Sequence, residues 1–134
     1  SISELFHSSI LKQTAMTTKE VATRLRALSS EGKFETAQKE LFSRDAVSIE
    51  PEASPGFEKE TKGLPAIIEK GHQFEKMVEA VHGIKVSEPL VIGNVFALSL
   101  DMDVTMKGRG RSNMNELCVY KVKDGKIISE EFFM

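Results

Sequence analysis

Residues 95–123 read VFALSLDMDVTMKGRGRSNMNELCVYKVK. Phe96, Leu98, Leu100, Met102, Val104 and Met106 take every second position, and Ser99, Asp101, Asp103 and Thr105 take the positions between. A period of two with one apolar side predicts a long antiparallel strand, half buried, with the aspartates on its outer face. Gly108-Arg109-Gly110 turns the chain. The next strand, 111–123, shows Met114, Glu116, Cys118, Tyr120 and Val122 on one face and Lys121 and Lys123 on the other. Asp124-Gly125 is a strong signal for a two-residue hairpin. A last strand, 126–134, follows, with Ile128, Glu130, Phe132 and Met134 expected on a shared face. Such a meander has an apolar face that something else must cover.

The cover lies upstream. Thr17-Thr18-Lys19-Glu20 is a capping box, a hydroxyl at the cap with a carboxylate three residues on. Val21, Leu25 and Leu28 then recur at helical spacing. After Gly32, Phe34, Ala37 and Leu41 mark a second helix. Ala46 to Glu50 alternates as a strand that Pro51 ends. Residues 51–63 carry two prolines and two glycines and read as a loop. Pro65 opens a third helix. Its buried stripe is expected to be Ile67, Gly71, Phe74, Val78 and Val81, with Gly71 predicting close approach of another backbone. Ile84 to Val91 reads as a strand interrupted by Pro89, and Gly93-Asn94 as a turn. Helices followed by grouped strands predict an α+β fold. Ahead of this, residues 1–15 form a separate N-terminal extension, with Ile2, Leu5, Phe6, Ile10 and Leu11 as one helical stripe. The domain proper is expected at 16–134.

A length of 134 residues fits one domain that can bury a core without staples. A formal net charge of -2 and no basic cluster beyond Arg109 and Arg111 argue against a nucleic-acid partner. The single cysteine allows no intrachain disulfide and fits a reducing, cytoplasmic location. No apolar run approaches the roughly 20 residues that span a bilayer, so no membrane partner is expected. The first residues lack the pattern of a signal peptide.

Four stretches, taken in order, resemble the nuclear transport factor 2-like superfamily: Glu31-Gly32-Lys33-Phe34-Glu35-Thr36-Ala37, Ala46-Val47-Ser48-Ile49-Glu50-Pro51, Lys62-Gly63-Leu64-Pro65-Ala66-Ile67 and Val122-Lys123-Asp124-Gly125-Lys126-Ile127. Within it the chain looks closest to SnoaL-like proteins, from Glu-Leu-Cys-Val-Tyr at 116–120 and the ending Ser129 to Phe133. The resemblance covers Met16 to Met134. It implies a cone, a strongly curved sheet wrapped on three helices around one apolar pocket. It also implies a small-molecule ligand, no cofactor, and a homodimer formed through the outer sheet face. Its members include isomerases, polyketide cyclases and dehydratases as well as carriers without activity, so the fold does not by itself fix the function.

Glu50 takes the place where ketosteroid isomerase carries its general base just before a proline. A carboxylate at the mouth of a dry pocket is poorly hydrated when charged, which suits it to carry protons near neutral pH. The oxyanion donors of that isomerase do not carry over: its tyrosine falls on Leu25 and its protonated aspartate at or near Cys118. Glu116, Cys118 and Tyr120 share a strand face and, with Glu130, could polarise a substrate oxygen or divide acid and base roles between two carboxyls. His72, beside Gly71 and Phe74, could reach the pocket. Leu25, Phe96 and Met102 complete the expected lining. His82 is expected to cap the end of the third helix. His72, His82 and the glutamates show no spacing of a metal site.

Overall fold

The computed structural model describes residues 15–134, and the stripe assigned to an N-terminal extension lies outside them. Helix α1 (Thr18–Ser30) begins on the capping box read from the sequence: the Thr17 hydroxyl accepts the Glu20 amide at 3.1 Å, and the Glu20 carboxylate accepts the Thr17 amide at 3.0 Å. Its C-terminus is a Schellman motif. Gly32, at φ 74°, lets Lys33 N–H reach the Leu28 carbonyl at 2.9 Å and its own N–H the Ser29 carbonyl at 3.0 Å. Helix α2 (Phe34–Leu41) follows at once and buries Ala37 and Leu41. Helix α3 (Leu64–Met77) starts with Pro65 in its first turn. No helix among the described residues is long and apolar enough to cross a membrane.

The remaining elements are β1 (Phe42–Ile49), β2 (Glu60–Lys62), β3 (Val78–Val86), β4 (Leu90–Ile92), β5 (Val95–Met106), β6 (Gly110–Lys123) and β7 (Lys126–Phe133). They form one curled, unclosed sheet in the order β2-β1-β7-β6-β5-β3, with β4 sharing the β3 edge of β5. All pairs are antiparallel except β1 with β7. The predicted hairpin pairs β5 and β6 from Val95↔Lys121 to Met106↔Gly110. Asp124 and Gly125, at φ 51° and 76°, turn β6 into β7, as a two-residue loop with both central residues at positive φ requires. The result is the α+β cone expected from the sequence, three helices against the inner face of a bent sheet.

The interior divides in two. One cluster packs α1 and α2 on the sheet, with Val21, Leu41, Phe96, Cys118, Tyr120 and Ile127 at its centre. A second, smaller one gathers Met102, Val104 and Met106 with Phe34, Phe74 and Met77.

Several expectations need correction. The third helix stops at Met77, and Val78 and Val81 belong to β3, paired with Met106 and Val104. The open edge of β5 offers β-branched residues a ladder, and that long-range pairing overrides helical spacing. His82 therefore caps no helix; it lies on β3 with Nε2 2.7 Å from Thr105 Oγ1. The Ile84–Val91 strand is two strands, because Pro89 has no N–H to give the ladder. Arg26 crosses the break, donating to the carbonyls of Val86 and Ser87. The 51–63 loop contains β2, which pairs with β1 at Ile49↔Glu60. Gly71 meets no neighbouring backbone: a Cβ built there has nothing within 4 Å. On β7 the buried isoleucine is Ile127, with Ile128 only partly covered. A bulge puts Ile127 opposite Val122 and Ser129 opposite Lys121, so the face changes parity before Glu130.

Gly125 offers a test of how the start of the domain is held. Its φ of 76° disfavours any side chain, and an added Cβ would sit 3.1 Å from the backbone N and O of Met16. Gly125→Ala is expected to lose about 1–2 kcal/mol from the backbone alone, and more from the contact with Met16. Gly93, at φ 57° with nothing within 4 Å, is the control. In thermal unfolding, Gly125→Ala should lower Tm further than Gly93→Ala; equal losses would show that Met16 does not dock on the turn.

Candidate functional site

Helix α3 crosses the inner face of the sheet without filling the space beneath it. A cavity of about 610 Å³ opens between α2, α3, the 50–57 loop and the inner faces of β5 to β7. Its wall is mainly apolar, with Phe34, Phe74, Leu100, Met102, Met106 and Phe132 among its residues. Gly71 also borders it, so the missing side chain leaves volume to the cavity.

The polar groups gather where β1, β6, β7 and α3 meet. β1 and β7 run parallel with Ser48 beside Glu130. Ser48 Oγ donates to Glu130 Oε1 at 2.7 Å and accepts from Lys70 Nζ at 2.6 Å. Lys70 Nζ also donates to Glu50 Oε1 at 2.9 Å and lies 5.5 Å from the centre of the Phe132 ring. A continuous chain thus runs from Glu50 through Lys70 and Ser48 to Glu130. Ser48 is fully buried and Glu130 is 5% exposed. On β6, Tyr120 pairs in register with Glu130, and Glu116 receives the Cys118 thiol at 3.7 Å.

These surroundings change the acidity of the buried groups. Burial pushes the Glu116 carboxyl up to about 7, and the Glu50 charge adds to it. Burial likewise raises Glu130 to about 7, against the Ser48 bond and the Lys70 charge, which lower it. The Cys118 thiol and the Tyr120 phenol are raised by burial as well, so both are neutral near pH 7. Two carboxyls poised to give or take a proton at neutral pH therefore border an apolar hollow, beside a third that is ion-paired.

The residues singled out in the sequence are distributed unevenly. Leu25, Glu50, His72, Met102, Glu116, Tyr120 and Glu130 all border the cavity. Phe96 and Cys118 do not: Phe96 is fully enclosed and stacked on Tyr120 at 4.8 Å, and Cys118 is 1% exposed. His72 sits at the rim with Nε2 against Glu35 Oε1 and Nδ1 3.5 Å from Glu69. The Glu35 bond raises its pKa above the ordinary histidine value. Arg111 pairs with Asp103 on the outer face through two bonds of 3.0 and 2.8 Å. Lys70 and Ser48 were missed. Yet Ile67, Lys70, Gly71, Phe74 and Met77 follow the i, i+3, i+4, i+7 rule of a buried helix face, and Ser48 alternates with Ala46 and Glu50. Among the described residues no group of three His, Cys, Asp or Glu side chains could hold a metal ion.

The raised Glu130 carboxyl implies a stability slope of known sign. Between pH 4.5 and about 7 the folded chain keeps a proton that the unfolded chain has released. This contribution is full below pH 4.5 and is lost as pH rises through about 7. Glu130→Gln, with no proton to lose, is expected to flatten the slope. Relative to wild type it should gain on the order of 2–3 kcal/mol between about pH 4 and pH 8, read from denaturant unfolding. Parallel curves for the two proteins would refute a buried, protonated Glu130.

Comparison with known proteins gives the same architecture. No curated protein matches the chain. A solved structure described as a SnoaL-like polyketide cyclase from Mesorhizobium loti is 34% identical, with a TM-score of 0.82 over 89% of this chain and 100% of its own. A structure from Bacillus subtilis described as an isomerase is 21% identical, with a TM-score of 0.66 over 87% of this chain and 88% of its own. IdmH, described as a polyketide cyclase from Streptomyces antibioticus, is 16% identical, with a TM-score of 0.67 over 88% of this chain and 91% of its own. The last two share the fold. Residues 16–134 match the family model described as the SnoaL-like domain, and with that match beside the Mesorhizobium relative the chain belongs to the SnoaL-like family.

Proposed function

We propose that the cavity binds a small, mostly apolar, oxygen-bearing molecule and moves a proton on it, in the manner of an isomerase, cyclase or dehydratase, without a cofactor. The observation that carries this reading is the set of three carboxyls in one apolar wall, two of them with pKa values near 7. Glu50 is the general base. Lys70 engages its Oε1, and among the described residues Oε2 accepts no hydrogen bond, which leaves an oxygen for a substrate C–H or O–H. Glu116, protonated below about pH 7, is the acid that returns a proton. The cyclase and isomerase descriptions of the related structures support the same class of chemistry.

Deuterium exchange at carbon next to the carbonyl of a panel of cyclic ketones, followed by NMR, tests the assignment. Glu50→Gln should slow exchange by about 10²–10⁴ while the ketone still binds. Wild-type exchange should fall as pH rises through about 7, where Glu116 loses its proton, and Glu116→Gln should remove that dependence. Unchanged exchange and binding in Glu50→Gln would take Glu50 out of the site, whereas binding with no exchange in wild type would favour a binding module without catalysis.

We further propose that the outer sheet face joins two copies of this chain. Leu117 and Phe133, 45% and 46% exposed, are paired across β6 and β7, and Leu90 lies outward of Ala97 and Val119 at 71% exposed. Contiguous apolar area of this kind is uncommon on a monomer. Sedimentation should find a dimer in wild type and a monomer in Leu117→Glu; a monomeric wild type refutes it.

A further inference from the structure

The proton-transfer reading leaves one requirement unmet. Taking a proton from carbon beside a carbonyl puts negative charge on the carbonyl oxygen, and a donor must meet it. The resemblance to ketosteroid isomerase sets its two donors at Leu25 and at or near Cys118. Leu25 has no donor, and the Cys118 thiol does not border the cavity.

Lys70 fits the requirement. Its ammonium carries three N–H donors. Ser48 Oγ and Glu50 Oε1 take two of them, at 2.6 and 2.9 Å, and no third acceptor bonds it among the described residues. The side chain is 15% exposed and borders the cavity. Ser48, Glu50 and the Phe132 ring fix its position. The other cationic side chains of the wall are placed differently: His72 is engaged by Glu35 at the rim, and Arg109 is exposed. Charge selects the ligand as well. The ammonium is already paired with Glu50, and Glu116 and Glu130 add negative charge beside it once they ionise above about pH 7, so a permanent anion competes with Glu50 and then meets repulsion, whereas a neutral carbonyl that gains charge only during reaction does not.

We propose that Lys70 is a catalytic residue that binds the reacting oxygen, and that the ligand class is therefore a neutral, mostly apolar ketone or enone. The proposal rests on the proton-transfer reading of the cavity. No covalent step is involved: the Lys70 N–H donates to the oxygen, strengthens that bond as the enolate forms, and keeps its proton throughout.

The test is the infrared carbonyl stretch of ¹³C-labelled acetophenone bound to the protein. In wild type the stretch should fall below its value in water. A shift donated by Glu116 or Glu130 would vanish as pH rises through about 7, whereas a shift donated by Lys70 persists once both have lost their protons. Lys70→Met should return the stretch to its hydrocarbon value and weaken ketone binding about tenfold or more. A wild-type stretch at the hydrocarbon value, one lost through pH 7, or one unchanged in Lys70→Met overturns the proposal while leaving the cavity and Glu50 standing. The Tyr120 phenol also borders the cavity and keeps its proton through pH 7, so Tyr120→Phe completes the test: a wild-type shift retained in Tyr120→Phe supports Lys70 even if Lys70→Met does not fold, and one lost there overturns the proposal. Absence of any bound ketone overturns both readings, whereas failure of Glu50→Gln to slow exchange touches only the base.

Discussion

Lys70 Nζ lies 2.6 Å from Ser48 and 2.9 Å from Glu50, and through Ser48 it reaches Glu130. Without that ammonium the inner face of the sheet would hold three carboxyls and no cation bonded to any of them. Removing charge from water is expensive, and a buried ion must be paired or neutralised. This interior uses both solutions. Glu50 is paired, and Glu116 and Glu130 hold protons to about pH 7. The arrangement needs α3 at a fixed height over β1 and β7, since one lysine must meet two strands at once.

That constraint explains why the fold was easier to read than the site. The alternation of β5 and β6, the Asp124-Gly125 turn and the capping box at Thr17 are local, and each is legible from a few residues. The split of the 78–92 region was not legible. Val78 and Val81 keep helical spacing with Phe74, and only the open edge of β5, distant in sequence, makes them a strand. The parity change at Ile127 is of the same kind: a bulge depends on how two strands pair, and the pattern of one strand does not announce it.

The site shows the same division. Glu50, Glu116, Tyr120 and Glu130 could be placed on the cavity wall because strand faces follow from parity, and a carboxylate on an apolar face stands out. Lys70 did not stand out, because lysine on a helix is ordinarily a solvated residue and its long stem can leave a buried position for water. Its place between Ile67 and Gly71 held the clue, yet its role depends on partners 20 and 22 residues away. Phe96 misled in the opposite sense. It has the parity of a pocket residue, but the Tyr120 ring stacks over it and removes it from the wall.

The two halves of the interior explain how such a polar group is tolerated. Around Phe96, Leu41 and Ile127 the packing is closed, and that half supplies most of the apolar burial. Around Met102 and Met106, flexible side chains and Gly71 leave a hollow. The carboxyls lie where the two meet, on a sheet held by the packed half and facing space left by the loose one. Filling the hollow with larger side chains would add burial, but would also remove the volume that the proposed ligand needs to reach the acids. The desolvation that makes Glu116 and Glu130 costly to ionise is the same effect that brings them to the acidity at which a proton can be exchanged. Stability and the proposed chemistry draw on that single quantity in opposite directions.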